Sequence, residues 1–161
     1  MTIRKLQMLE PLNCLKSILS ASIEFNEFIG RTTVDATAAG LKVILGYATD
    51  HSAKAVLALI ELESTAFTTS TFQTDLIILL RLERPTPSSE SNDTESAQYV
   101  SFLAACEAVL DGIREDTIGQ LDKLNISTVS ITNPPQIMDS TDDTTQTADF
   151  WRCEFAVGVR A

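Results

Sequence analysis

The spacing of hydrophobic and polar positions changes along this chain, and the changes mark its elements. Over residues 11–29, Leu12, Leu15, Ile18, Leu19, Phe25 and Ile29 fall on one stripe at helical spacing. Asn13, Lys16, Ser17, Ser20, Glu24 and Glu27 lie opposite, as in an amphipathic helix packed on one side only. Pro11 suits the first turn, where its missing N–H is not needed, and Gly30 suits the position just past the end. Residues 31–40 read as a polar connection, and Val43-Ile44-Leu45 as a short strand closed by Gly46. Residues 53–63 contain good helix formers, yet Val56, Ala58, Ile60 and Leu62 alternate with Leu57, Leu59, Glu61 and Glu63. Strand is favoured there because residues 71–83 supply a matching partner. In that partner Phe72, Thr74, Leu76, Ile78, Leu80 and Leu82 line one face, while Gln73, Asp75, Arg81 and Glu83 mark the ends of the other. Its central run, 76–80, is apolar on both faces, which predicts a strand covered on both sides. Residues 64–70 read as a hairpin loop that exposes Phe67.

Residues 84–94, with Pro85, Pro87 and three serines, form a crossing segment that ends in a capping box of Asn92 and Glu95. A second helix over 94–115 follows. Tyr99, Phe102, Leu103, Cys106, Val109, Leu110 and Ile113 make its stripe; Glu107, Asp111, Arg114 and Glu115 make its outer face. Ile118 and Leu121 extend it after a break. Residues 126–132 read as a short strand stopped by Asn133-Pro134-Pro135, and 138–148 as a polar loop. In the last strand, 149–161, Trp151, Cys153, Phe155, Val157 and Val159 alternate with Arg152, Glu154, Gly158 and Arg160. Such a strand closes its own sheet or presents itself to a neighbour. Trp151, Phe155 and Val157 are expected to face the helices. The order of elements predicts one α+β domain over residues 1–161, a two-layer sandwich of a mostly antiparallel sheet with two amphipathic helices packed on it.

Composition narrows what such a domain could do. With 161 residues, 44% of them apolar, the chain can build a core. A net charge of −10, with twelve basic residues dispersed along the chain, argues against binding nucleic acid by phosphate neutralisation. The N-terminal ten residues lack the apolar run of a signal peptide, and no segment approaches the length of a membrane span. A protein made and kept soluble in the cytoplasm is expected, without a membrane partner. Cys14, Cys106 and Cys153 show no metal-ligand or CxxC spacing and read as buried free thiols.

Candidate chemistry is sparse. Asp50-His51-Ser52 holds the one histidine, but three adjacent residues seldom aim at one reacting atom, so a turn is the better reading. Asp139, Asp142 and Asp143 lack the glycine and closing glutamate of an EF-hand, which favours a solvated acidic loop over a metal site. Glu107, Asp111 and Glu115 recur at four-residue intervals on the second helix; like charges so placed repel mildly. The face they form is either simply solvated or lines a surface from which an anion such as DNA is kept. Phosphate-binding, dinucleotide, zinc-protease and serine-hydrolase motifs are missing from the sequence. The chain is therefore expected to be no enzyme and to need no cofactor or metal.

The layout itself has a likeness. An amphipathic helix precedes a long hairpin, a Pro/Ser linker and a second helix ending Val-Leu-Asp-Gly-Ile. A short strand, an acidic loop and a terminal strand of the form Asp-Phe-x-Arg-x-Glu-Phe-x-Val follow. From about residue 9 to 161 this resembles the tail terminator (tail completion) proteins of long-tailed bacteriophages and, more loosely, other small neck and tail-tube proteins. The hairpin loop and the Asp-rich loop are longer than that pattern needs. The resemblance implies a structural virion protein of the tail or neck, assembled in the host cytoplasm as a ring, commonly of six subunits. Such a ring caps the tail tube protein and meets a head–tail connector or stopper protein, while DNA passes without specific binding. It implies no catalytic residues. Phe67, Phe72, Arg152, Glu154 and Arg160 are the candidate subunit-interface residues, and Glu107, Asp111 and Glu115 the candidate acidic lumen or solvent face. A head-side joining protein and a small intracellular protein-binding module are the alternatives.

Overall fold

The computed structural model describes residues 8–46, 57–68, 73–85, 95–118, 125–138 and 150–160. His51 with its neighbours, Phe72, the cap residue Asn92 and the acidic stretch from Asp139 to Asp143 lie outside them. The order is α1 (Leu9–Ala21), α2 (Ile23–Phe28), α3 (Ala36–Gly40), β1 (Val43–Leu45), β2 (Leu57–Thr68), β3 (Gln73–Pro85), α4 (Glu95–Ile118), β4 (Asn125–Met138) and β5 (Phe150–Arg160). The strands form one mixed sheet in the order β1-β2-β3-β5-β4, with β1 parallel to β2 and every other pair antiparallel. This is the α+β arrangement that the periodicities predict. No helix is long and apolar enough to cross a membrane among the described residues.

The first helix is two helices. At Ser22 the backbone turns extended (ψ 132°) and the Ser22 hydroxyl accepts a hydrogen bond from the Phe25 N–H at 3.2 Å, capping α2. Ser22 Oγ also donates to Glu24 Oε2 at 3.0 Å. Asn26, buried, locks the break: its Nδ2 donates to the Ser20 and Ser22 carbonyls, and its Oδ1 accepts from the Asp35 N–H at 3.1 Å. Helical projection placed Ser20 on the polar face, but the chain turns there and buries it. Ser22→Ala removes the cap and should lower stability by about 1 kcal/mol, a fall in Tm of roughly 2–4 °C for a chain of this size, readable in a thermal melt by circular dichroism. Residues 36–40, read as connection, form the short α3, whose cap is the Asp35 carboxylate accepting from the Ala38 N–H at 3.0 Å. Gly30 and Gly46 both adopt φ +85° and end α2 and β1, as their positions predict.

β2 is a strand over its described length, and it runs on through residues 64–68, which pair with β3. Residues 64–68, expected in the hairpin loop, are therefore strand, and residues 69–72 lie outside the described residues. A bulge between Leu62 and Ser64 keeps that extension in register. α4 continues unbroken to Ile118, because nothing after Gly112 removes a helical hydrogen bond. Gly112 lies where α2 crosses α4: a Cβ there would strike the Glu24 carboxylate and lie 2.9 Å from Ser22 Oγ. β4 does not stop at its prolines. Pro134 and Pro135 fall between the register positions Asn133 and Gln136, where the ladder is interrupted and their missing donors are not required.

All the helices pack on one face of the sheet. Leu76, Ile78, Leu80 and Leu82 of β3, with Trp151, Cys153, Phe155, Val157 and Val159 of β5, meet Leu15, Ile18, Leu19, Phe25, Phe102, Cys106, Val109 and Ile113 in one core. Phe102 stacks on Trp151 at a ring separation of 6.1 Å and meets Phe28 at a tilt at 6.3 Å, and Tyr99 meets Trp151 edge-on. The Arg84 guanidinium lies 4.9 Å from the Phe28 ring centroid; burial lowers its pKa from the ordinary arginine value, and the aromatic face supplies part of the lost solvation. Cys106 and Cys153 are buried and free; Cys14, expected to be buried, is only partly so. Cys106 donates to Cys153, whose own thiol reaches the Asn133 carbonyl at 3.5 Å; that bond and burial push the Cys106 thiol above its usual range. Coverage of the central run on both sides does not occur. Ile77 is exposed and Leu79 half-buried on the face away from the helices, where small residues, Gly158 and Ala156, stand opposite them.

Candidate functional site

The face of the sheet away from the helices carries most of the ion pairs of the described residues, and register explains why. Across β3 and β5, Asp75 stands opposite Arg160, Arg81 opposite Glu154 and Glu83 opposite Arg152. Every opposed pair is of opposite sign, the arrangement that stabilises neighbouring strands. Arg81 is the hub: its Nε donates to Glu154 Oε2 at 2.6 Å and its Nη1 to Glu61 Oε2 of β2 at 2.8 Å. Glu154 Oε1 accepts from Thr132 Oγ1 and Asn133 Nδ2 of β4, each at 2.9 Å. A single carboxylate thereby links three strands, and a fourth through Arg81. Burial on its own would raise the Glu154 pKa; the hydrogen bonds from Arg81, Thr132 and Asn133 outweigh it and hold the group below its ordinary range. Arg152 closes on Glu83 at 2.7 Å, and its guanidinium lies 5.4 Å from the Phe150 ring centroid. Arg160 and Asp75, at 3.2 Å, form the most exposed of these cross-strand pairs.

Two of the candidate interface residues, Arg152 and Glu154, are therefore engaged within the chain; Arg160 is also paired but remains open to solvent. Phe67 sits in β2 opposite Thr74 of β3, not in a loop, and its side chain lies outside the described residues. Glu107 and Asp111 are exposed on α4 as expected; Glu115 belongs to α4, but its side chain is outside the described residues. Among the described residues no three His, Cys, Asp or Glu side chains gather where they could hold a metal ion.

The terminal strand does not present itself to a neighbour. β5 lies between β3 and β4, with its backbone paired on both sides, so it closes the sheet from within. Alternation reveals which faces a strand has and says nothing of whether it ends a sheet. The edge belongs to β4, whose fourteen residues, Asn125–Met138, include no charged side chain. Val129, Ile131 and Ile137 of β4 stand opposite Val157, Phe155 and Trp151, so they share the helix-side face. They overhang the helix layer and are 45%, 53% and 40% exposed. On the other face Ser127 and Thr128 occupy the space that a side chain at Gly158 would fill, which draws this edge close to β5. At the opposite end, β1 covers β2 only from Ala58 to Ile60, and among the described residues no strand pairs with the outer side of 61–68.

The sequence reading missed β4 as an edge because the double proline looked like a terminator. It also missed the partners of the charged face, although the signal was present. Asp75, Arg81 and Glu83 are spaced six and two residues apart with signs −, +, −. Arg160, Glu154 and Arg152, read backwards, repeat that spacing with signs +, −, +, which is the antiparallel register itself.

Comparison with protein-family models finds no match to this chain, and no curated protein matches it.

Proposed function

We propose that this chain is a non-catalytic structural subunit that assembles with copies of itself into a ring, in the manner of the phage tail terminators its layout resembles. The observation that supports this reading is the form of the sheet. Among the described residues it is open at both lateral ends, with an edge strand at one of them that lacks any charge. Natural edge strands are blunted by charged side chains, prolines or bulges. In β4 the prolines stand at 134 and 135 and the register shifts lie at 126–128 and 131–136, which leaves 128–131 as a regular, uncharged edge on which another chain can pair. A molecule with two different open edges is suited to heterologous contacts, which close into a ring when the rotation between copies permits. In this reading the ring, expected to hold six subunits, caps the tail tube protein and meets a head–tail connector or stopper. DNA passes through it unbound, because a subunit of net charge −10 does not replace the counterions of phosphates. Exposed Glu107 and Asp111 are candidates for the acidic wall or for a solvated outer surface.

Light scattering of the purified chain and negative-stain imaging test the proposal, together with a search for the protein in purified phage particles. A ring of uniform size that localises to the tail end of the head–tail joint is the expected result. A ring on the head side would instead assign a neck-joining role. A strict monomer at high concentration, absent from particles and recovered with a host protein, would mark a binding module and overturn the proposal.

A further inference from the structure

The two open edges fit each other in direction, length and charge. β3 runs antiparallel to β2, β5 antiparallel to β3, and β4 antiparallel to β5. β4 therefore runs opposite to β2 within one sheet. When copies are related by rotation about a ring axis, each copy keeps the sense of its strands along that axis. The β4 edge of one copy then meets the β2 edge of the next as an antiparallel pair, the more stable kind of ladder. The free part of β2 spans residues 61–68, eight residues, and the part of β4 ahead of its prolines spans 125–133, nine residues. Charge favours the same pairing. The β2 edge carries Glu61 and Glu63, so two such edges would repel; β4 carries no acid to oppose them. Glu61 is moreover neutralised from within by Arg81.

We infer that the occupant of the β4 edge is the 61–68 segment of β2 from a second copy of this chain, giving a sheet continuous around the assembly; the inference rests on the ring reading above. The faces match in the centre of that pairing. Ser130 stands opposite Ala156 and Ser64 opposite Ile77, which puts both on the charged side of the sheet; Val129 and Thr65 are both on the helix side. With Ser130 against Ser64 of the neighbour, Val129 meets Thr65, a pair of β-branched side chains that suits adjacent strands. The exposed Val129 is then covered at the seam, while Ile131 stands opposite Glu63, so that an acid placed at 131 would meet a like charge.

Cysteines at Ser64 and Ser130 test it. In the full chain under mild oxidation, Ser64→Cys with Ser130→Cys should give a ladder of covalent oligomers on non-reducing gels. Each single variant should give no more cross-linking than the unsubstituted chain with its three native cysteines. Ile131→Asp, at an exposed position, should abolish the oligomer in light scattering while leaving the circular dichroism spectrum unchanged. A covalent dimer from Ser130→Cys alone would show β4 pairing with itself and overturn the inference. Rings that persist in the Ile131→Asp variant, with no ladder in the double-cysteine variant, would overturn the edge pairing and leave the ring reading intact. An unsubstituted chain that stays monomeric would remove both.

Discussion

Replacing Phe102 with alanine is expected to lower the stability of this domain by about 4 kcal/mol, within the range seen for buried phenylalanines. The ring is buried against two aromatic neighbours and the guanidinium of Arg84. Its removal would leave a cavity under α4 at the point where that helix meets both α2 and the sheet. Trp151 loses its stacking partner, Phe28 loses a tilted ring contact, and the half-buried Arg84 cation loses one of the two rings it lies over. Collapse of the cavity is opposed from below by β3 and β5, whose side chains are held in register by hydrogen bonds on both flanks. For a chain of this length the change corresponds to a fall in Tm of roughly 8–16 °C. Chemical denaturation would show a lower midpoint with little change in slope, since the surface exposed on unfolding is nearly the same. Phe102→Leu keeps most of the volume and should recover more than half of the loss. An alanine variant within about 1 kcal/mol of the unsubstituted protein would place Phe102 at a poorly packed site.

Glu154→Ala is expected to cost about 3 kcal/mol, the low end for breaking a buried ion pair, because Arg81 keeps Glu61 as a second partner. The loss is spread over three strands. Thr132 and Asn133 lose their acceptor on the β4 side, and Arg81 loses its shorter contact. Glu154→Gln preserves shape and should cost less. The glutamine variant also isolates the titration. The folded-state pKa of Glu154 lies below its ordinary value of 4.5, so the carboxylate adds stability at pH values above that figure. That contribution is lost as pH falls through the depressed folded-state value. The stability gap between the unsubstituted chain and Glu154→Gln should therefore be constant near neutrality and close on acidification below pH 4.5. A gap that widened towards acid would contradict the hydrogen-bonded carboxylate described for this face.

Both effects arise from parts of the chain that were unequally legible. Phe102 was readable as core from the spacing of Tyr99, Phe102, Cys106, Val109 and Ile113, because a helix on a sheet buries one stripe wherever its neighbours lie. Glu154 was readable only as a residue on the polar side of an alternating strand. That it is nearly buried, at 9% exposure, follows from Arg81, Thr132 and Asn133 closing around it. Those contacts come from residues 21 to 73 positions away in sequence. The break at Ser22 was hidden for a related reason. Leu15, Ile18 and Leu19 continue into Phe25 at nearly helical spacing, and only the cap and the buried Asn26 reveal the turn.

Local pattern thus determined the kinds and order of the longer elements, the faces of α4, β3 and β5, and the α+β class, since periodicity is set by the geometry of each segment alone; the break at Ser22 and the short α3 lay outside it. Tertiary structure decided which strand ends the sheet. The terminal strand is the clearest in the sequence and lies inside; β4, interrupted by prolines, is the edge. Edge or interior is a property of what lies beside a strand, and hydrogen bonds between distant segments leave no period in the chain that makes them.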